Sequence, residues 1–245
     1  MQFACIRCGR PGAGPIATAA HEEPAVGCPS CRRQRYPFDR CIALWSYDSL
    51  VRNAVVASKY GNQIALADAL GRRLGARIGQ VWSRQQTREL ANGTHAESNA
   101  TRPATAGDIQ DWSAPDFITS VPSHLWRRVQ RGAGGSRVLA KSVARFLRSR
   151  WPSAVHTNLM SATRQIKKQA WLGEKDRISN VQGAFRVSTG GLRSGFRGRQ
   201  RRPLDGKHVL LIDDVMTTGA TAGENARVLK QAGACRVTVA VVARA

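Results

Sequence analysis

Short, continuously apolar runs alternate along the chain with stretches whose apolar residues recur at helical spacing. The runs have the length and continuity of strands buried in a parallel sheet; they are residues 42–47, 117–121, 209–212 and 237–242. The stretches with helical spacing are residues 50–59, 64–78, 136–150 and 220–231. Phe146 falls on the inward face of the third stretch. This alternation predicts an α/β fold with an open, mostly parallel, twisted sheet.

Three parts of the chain lack this periodicity. Residues 1–41 are rich in Cys, Gly and Pro and carry too little apolar sequence for a core of their own. Residues 83–114 fill with Asn, Thr, Ser, Gly and Gln, and five arginines stand among glycines in residues 193–202. We therefore expect a small N-terminal domain, 1–41, and an α/β domain, 42–245, with mobile insertions at 83–114 and 189–202.

Two classes of protein are not expected. No apolar stretch approaches the roughly 18 residues of a membrane span. The first ten residues contain two cysteines, where a signal peptide requires a continuous apolar region. A secreted or integral membrane protein is therefore disfavoured, and we predict a cytoplasmic protein.

Four of the six cysteines form two matched C-x2-C pairs near the N-terminus. The pairs are separated by nineteen residues and comprise Cys5, Cys8, Cys28 and Cys31. Two such knuckles supply the four thiolates of a closed, structural zinc site. A disulfide or a redox CxxC is the alternative, but neither accounts for two matched pairs. His21 and Cys41 could substitute as ligands, and Cys235, between a helix and an apolar strand, is expected to be buried.

The chain is strongly basic, with 38 Lys and Arg against 16 Asp and Glu and a net charge of +22. Residues 117–204 hold nineteen basic and two acidic side chains and so carry most of this excess. Such a field attracts nucleic acid, an anionic membrane surface or phosphate-rich small molecules, although a solvated surface is the alternative. Aromatic residues interleave with the basic ones, as either a base-stacking groove or core packing would place them; they are Trp126, Trp151, Trp171 and Phe196.

The segment richest in chemistry is Val209-Leu-Leu-Ile-Asp-Asp-Val-Met-Thr-Thr-Gly-Ala-Thr221, where an apolar strand ends at two carboxylates and a small-residue turn opens a helix. Ligands of open α/β sheets bind just past the carboxyl ends of strands, and N–H groups at a helix start favour a phosphate. Asp213 and Asp214 could hold neighbouring hydroxyls or a divalent cation, or they could merely cap the turn. A response-regulator receiver is not expected, because it needs a phosphoacceptor and a lysine beyond the acids and only 31 residues follow Asp214.

This segment resembles the phosphoribosyl-pyrophosphate (PRPP) loop of type I phosphoribosyltransferases. The chain as a whole resembles their ComF/GntX-like branch, which is named for DNA uptake and DNA utilisation and typically carries an N-terminal four-cysteine ribbon. The other matching segments are Tyr47-Asp48 and Lys59-Tyr60-Gly61, a pyrophosphate loop with Val121-Pro122, Arg127, Arg128, Arg131 and Gly132, and a mobile catalytic loop with Arg164, Gln169, Leu172, Arg177, Asn180 and Gly183-Ala184-Phe185.

The chain departs from the branch at one point in the pyrophosphate loop. After Gly132 the family usually has Phe-Asn-Gln, whereas this chain has Ala133-Gly134-Gly135. An amide side chain expected beside the pyrophosphate is therefore missing. The departure bears on the geometry of pyrophosphate binding and so weakens the case for turnover.

The resemblance implies a reaction as well as a fold. The phosphoribosyl group of PRPP would pass to a nitrogenous acceptor, and pyrophosphate would leave, with Mg²⁺ bridging pyrophosphate and ribose. The residues that the resemblance assigns to PRPP binding are Thr217, Thr218, Gly219, Ala220, Thr221, Arg127, Arg128 and Arg131. Those that it assigns to catalysis are Asp213 and Asp214, on the ribose hydroxyls, and Arg164 and Gln169, in a loop that closes over the site. No residue pattern indicates the acceptor.

Two other functions stay open on the sequence. A catalytically silent fold of this kind could bind single-stranded DNA during uptake or recombination. A PRPP-sensing regulator would share the site and lack turnover. A homo-oligomer is compatible with each of these functions.

Overall fold

The fold is built on one parallel sheet, seen in a computed structural model that describes residues 4–12, 28–93, 112–122, 135–164, 174–188 and 202–245. The sheet has five strands in the order β1-β7-β6-β2-β3; they are β1 (Arg40–Ser46), β2 (Phe117–Ser120), β3 (Val155–His156), β6 (His208–Met216) and β7 (Arg236–Arg244). Two further strands, β4 (Met160–Ala162) and β5 (Phe185–Val187), form a separate antiparallel pair. The predicted α/β class with a mostly parallel sheet is confirmed.

Helices cover both faces of the sheet. They are α1 (Pro29–Arg33), α2 (Ser49–Ala57), α3 (Ile64–Gly93), α4 (Gly135–Leu147), α5 (Glu174–Val181) and α6 (Ala220–Gln231), with a 3-10 turn at Gly61–Gln63. Residues of α2, α3 and α4 share one buried cluster with Leu210 and Ile212, and residues of α6 share the other with Leu211 and Val239. The central strands are therefore buried on both sides, which explains their continuous apolar sequence. None of the described helices is long and apolar enough to cross a membrane.

Helix α3 is longer than its apolar pattern indicates. The prediction of an irregular insertion from residue 83 is wrong for residues 83–93, which continue the helix. Trp82 is fully buried and anchors this part: its ring packs edge-on against Trp112 and Trp151, with centroids 4.8 and 4.9 Å away, and its Nε1 donates to the Trp112 carbonyl at 2.8 Å. Trp112, which falls within the predicted insertion, thus belongs to the core. Residues 94–111 and 189–201 lie outside the described residues.

The N-terminal segment packs directly on the sheet. Cys5, Cys8, Cys28 and Cys31 belong to the same buried cluster as Met216 and Val241, at the carboxyl ends of β6 and β7. Strand β1 already begins at Arg40, before the predicted domain boundary at residue 42. The N-terminal segment therefore shares the buried core of the sheet instead of forming one of its own. The division into domains 1–41 and 42–245 stays a prediction.

Candidate functional site

The two carboxylates lie near the carboxyl end of β6, which continues to Met216 instead of ending at residue 212 as predicted. Asp213 Oδ1 accepts hydrogen bonds from the Asp214 N–H at 2.9 Å and from Ser136 Oγ at 3.3 Å. Asp214 Oδ2 pairs with Lys59 Nζ at 2.9 Å, with side chains 16% and 29% exposed, respectively. Helix α4 supplies Ser136, and Lys59 follows helix α2. Three distant parts of the chain therefore meet at the acid pair.

The electrostatics of the pair favour a positively charged or hydrogen-bond-donating partner. The pKa of Asp213 is raised to about 7, because its carboxyl is removed from water and lies beside the charge of Asp214. The Asp214 N–H and the Lys59 charge act in the opposite direction without cancelling this rise. Two carboxylates that repel each other in this way gain from a cation or from hydroxyl donors placed beside them.

A tight turn follows the carboxylates and opens helix α6. Gly219 has a φ of 84°, in the left-handed region that glycine favours, and it caps the helix without a side-chain hydrogen bond. Thr217 is exposed, and Thr218 and Thr221 are partly exposed. Threonine hydroxyls and backbone N–H groups at a helix start are the donors that bind phosphate groups. The acid pair therefore lies on β6 just before this turn, as predicted.

The segment between β4 and β5 is bonded to helix α6. Glu224 of α6 accepts a hydrogen bond from the Gly183 N–H at 2.8 Å and pairs with Arg227 at 2.7 Å. Arg164 Nη2 donates to the carbonyls of Asn180 and Gln182 at 3.1 and 2.9 Å, at the end of α5. Arg164 therefore stabilises the base of the segment predicted to close over the site. Its catalytic role stays a prediction.

Several residues predicted for the site lie outside the described residues. They are Gln169 of the catalytic loop, Arg127, Arg128 and Arg131 of the pyrophosphate loop, and Ala133 and Gly134 of the departure from the family. Gly135, the last residue of that departure, lies against the segment that carries Lys59: a Cβ on it would lie 3.5 Å from the Ser58 carbonyl oxygen. The end of the predicted pyrophosphate loop thus adjoins the acid pair.

Lys59 and Ser136 contact the acids, and the sequence pattern does not single out either of them. Lys59 stands out only as part of a family segment, and Ser136 only as the start of a helix. Their contacts with the acids span 155 and 77 residues of sequence, so no local pattern could reveal them.

The four cysteines of the two CxxC pairs lie together, with their sulfur atoms within 4.8 Å of one another. The Sγ···Sγ distances are 3.7 Å for Cys5 and Cys31, 3.5 Å for Cys8 and Cys28, and 3.9 Å for Cys28 and Cys31. A zinc ion bound tetrahedrally at about 2.3 Å from each sulfur requires sulfur–sulfur edges of about 3.8 Å. The donor set and its dimensions therefore fit a structural metal site.

The other two cysteines are not part of this cluster. Cys41 is buried beside Gly9, and burial raises its pKa to about 12. Cys235 is exposed, so the prediction that it is buried is wrong; its Sγ lies 3.1 Å from the Gly206 carbonyl oxygen, at a turn on the surface. His21 lies outside the described residues.

Exposed basic side chains line helices α3 and α4; they are Arg72, Arg73, Arg84, Lys141, Arg145, Arg148 and Arg150. The acid Asp68 pairs with two of them, at 3.1 and 3.3 Å. Phe146 lies among them and is 46% exposed, so its predicted inward position is wrong. Its ring contacts Gly75 of α3 on one side only. Trp151 is in the core, and the other three aromatic residues predicted for a stacking groove lie outside the described part of the chain.

Comparison with known proteins identifies relatives of the whole chain. Residues 133–245 match the family described as phosphoribosyl transferase domain. The DNA utilization protein YhgH of Escherichia coli (strain K12) is 28% identical over 235 residues, which are 96% of this chain and 81% of that protein. Competence protein F of Haemophilus influenzae is 23% identical over 221 residues, which are 90% of this chain and 80% of that protein. These matches confirm the family resemblance of the motifs.

A solved structure of the allosteric regulatory enzyme of purine biosynthesis aligns with this chain at a TM-score of 0.34 and 16% sequence identity. The alignment covers 72% of this chain and 26% of that chain. This likeness is too weak to add to the assignment of the fold.

Proposed function

Because this chain carries a phosphoribosyl transferase domain and is related along nearly its whole length to the DNA utilization and competence F proteins, we propose that it binds PRPP and transfers its phosphoribosyl group to a nitrogenous acceptor. The observation that carries this proposal is the acid pair, Asp213 and Asp214, placed directly before a glycine turn that opens a helix. The pair would hold the sugar, and the turn would hold its phosphate.

The acid pair is suited to the ribose. Its carboxylate oxygens accept hydrogen bonds from the two ribose hydroxyls, and charge-assisted bonds of this kind are among the stronger ones. Lys59, which follows α2, and Ser136 of α4 hold the two carboxylates in place. The turn at residues 217–219 and the first residues of α6, Ala220 and Thr221, take the 5′-phosphate through hydroxyl and N–H donors.

The acid pair also has the oxygen ligands that Mg²⁺ prefers. Burial and the charge of Asp214 raise the pKa of Asp213, and a cation at this place would relieve the repulsion between the two carboxylates. Mg²⁺, when bound, supplies positive charge that neutralises the pyrophosphate leaving group.

The chain needs no nucleophile of its own for this reaction. The bond between ribose C1 and the pyrophosphate oxygen breaks, positive charge develops on the ribose ring, and the acceptor nitrogen attacks C1. The carboxylates stabilise that charge through the hydroxyls that they hold, and the binding groups fix the ribose in line with the acceptor. The segment with Arg164 and Gln169 would exclude water, and Arg127, Arg128 and Arg131 would hold the pyrophosphate.

Calorimetric titration of three variants with PRPP and Mg²⁺ tests this assignment. Asp213→Asn and Asp214→Asn keep the shape of the side chain and remove its charge, so each should weaken binding roughly 10- to 100-fold. Asp205→Asn, a change to an exposed carboxylate in the turn before β6, is the matched control and should bind as wild type does. Equal affinity in wild type and all three variants would show that the acid pair does not bind PRPP. Pyrophosphate release in the presence of candidate acceptors separates a transferase from a PRPP-sensing regulator.

Binding of single-stranded DNA is the second candidate, favoured by the basic face of α3 and α4 with its exposed Phe146. The names of the relatives also point to DNA. Replacing Arg73, Arg84 and Arg148 with Gln should reduce the slope of log affinity against log salt by about 0.7 for each phosphate that the variant no longer neutralises. Arg35→Gln, a change to an arginine outside this face, is the control. An unchanged slope would assign the face to solubility.

A further inference from the structure

Arg244, at the carboxyl end of β7, joins the cysteine cluster to the turn that follows β6. The residue is 1% exposed. Its Nε donates to the Cys8 carbonyl at 2.9 Å, and its Nη1 donates to the Met216 carbonyl at 3.2 Å and also to the carbonyls of Thr217 and Ala245. A single buried guanidinium thus holds a cysteine knuckle and the predicted phosphate turn together.

The chain that follows the second CxxC pair reinforces this contact. The ring of Tyr36 covers Gly219 so closely that a Cβ there would lie 2.8 Å from its Cε1. Pro37 packs on the first turn of α6, where a Cβ on Gly223 would lie 3.3 Å from its Cδ. The turn is therefore backed on one side by the N-terminal segment.

Arg244 holds the backbone of the turn in one orientation. In a trans peptide the C=O and the N–H point in opposite directions. A guanidinium that draws the carbonyls of Met216 and Thr217 toward the cysteines therefore turns the N–H groups of Thr217 and Thr218 away from them. Donors fixed in this way are preorganised for an anion, and a bound ligand loses less free energy in ordering them.

No Asp or Glu side chain among the described residues forms a salt bridge with Arg244, and its buried Nη2 has no hydrogen-bond partner there. A buried charge of this kind is costly unless another charge offsets it. Four thiolates around one zinc ion carry a net charge of about −2, and the four cysteines share the buried cluster that adjoins Arg244. A filled metal site would therefore stabilise Arg244 where it lies.

We propose that Arg244 is a positioning residue for the phosphoribosyl ligand, through which the four-cysteine metal site sets the affinity of the phosphate turn. This inference rests on the function proposed above for the same turn. The N-terminal segment then has a role in ligand binding as well as in stability, and loss of its metal weakens the binding of PRPP without any change in the residues that touch the ligand.

Two variants of the full chain test the role of Arg244. Arg244→Gln and Arg244→Lys should weaken the binding of both PRPP and ribose 5-phosphate about 10-fold or more, because neither side chain has the planar fork of donors that reaches the Cys8 carbonyl and the turn at once. Arg236→Gln, at the opposite end of the same strand, is the matched control and should leave both affinities unchanged. Calorimetry is done below the unfolding temperature of each variant, with zinc content measured in parallel. A folded, zinc-loaded Arg244→Gln protein with wild-type affinity would overturn the inference.

Removal of the metal from wild type tests the coupling independently, and it decides the question if the Arg244 variants do not fold. A chelator selective for zinc over magnesium should weaken PRPP binding as much as Arg244→Gln does, and it should add little to that variant, because the two changes break one connection. Hydrogen exchange at the amide of Ala245, which donates to the Met216 carbonyl at 3.0 Å beside Arg244, should become faster in both cases without ligand. Unchanged exchange and affinity after chelation would overturn the coupling. Wild type that binds no PRPP would refute the proposed function instead, while the exchange measurement still tests the coupling.

Discussion

The affinity for PRPP should increase with pH between about pH 6 and pH 8, because Asp213 must lose a proton before it offers the ribose hydroxyls a charged acceptor. Burial and the Asp214 charge raise its pKa to about 7 in the free protein. About a tenth of the molecules then carry the charged form one unit below this value and about nine tenths one unit above it. The apparent affinity should therefore rise roughly tenfold across this interval.

Calorimetric titration with PRPP and Mg²⁺ at several pH values measures this change. PRPP also loses protons near this range, so Asp213→Asn is titrated in parallel, and its remaining pH dependence belongs to the ligand. The raised pKa also destabilises the unliganded fold: stability falls as pH rises from about 4, where the unfolded chain loses the proton, to about 7, and the full cost is present above about pH 7. Asp213→Asn should consequently raise Tm more at about pH 8 than at about pH 5. The same pH dependence in wild type and variant, in both measurements, would refute this account of the acid pair.

Three further predictions concern the surroundings of the site. One zinc per chain should be found by elemental analysis of protein purified under reducing conditions, and its removal should loosen the first 41 residues while the sheet stays folded; a metal-free protein with an ordered N-terminal segment would contradict this. Gly219→Ala should lower the free energy of unfolding by about 1–2 kcal/mol because of the left-handed backbone, and by more because of contact with Tyr36. Denaturant unfolding should therefore show a greater loss of stability than for Gly206→Ala, where φ is 69° and the space around the glycine is open. Burial lowers the pKa of His208 to about 4. Stability should therefore fall as pH decreases from about 6.5 to 4, because the unfolded chain takes up a proton that the folded chain does not. In His208→Gln this contribution to the pH dependence of stability should vanish.

The sequence predicted the central strands because each is a continuous apolar run buried on both faces. It did not predict β3, β4 and β5, because two or three residues are too few to show an alternation. It ended α3 early because the helix continues beyond Trp82 with polar helix formers instead of an apolar stripe.

The chemistry of the candidate site was predictable where it is local in sequence. The acid pair and the glycine turn adjoin along the chain, and the four cysteines form two matched pairs. Lys59 and Ser136 reach the acids only through the packing of α2 and α4 on the sheet. Arg244 would be expected at the surface from its charge, and only the fold shows that it lies between the cysteines and the turn.

Titration of wild-type protein with PRPP at about pH 8, with and without Mg²⁺, tests the central claim most directly. We predict saturable binding at one site per chain that weakens when Mg²⁺ is removed. Absence of PRPP binding at every Mg²⁺ concentration, in folded and zinc-loaded protein, would contradict the claim. The DNA-binding function would then take first place.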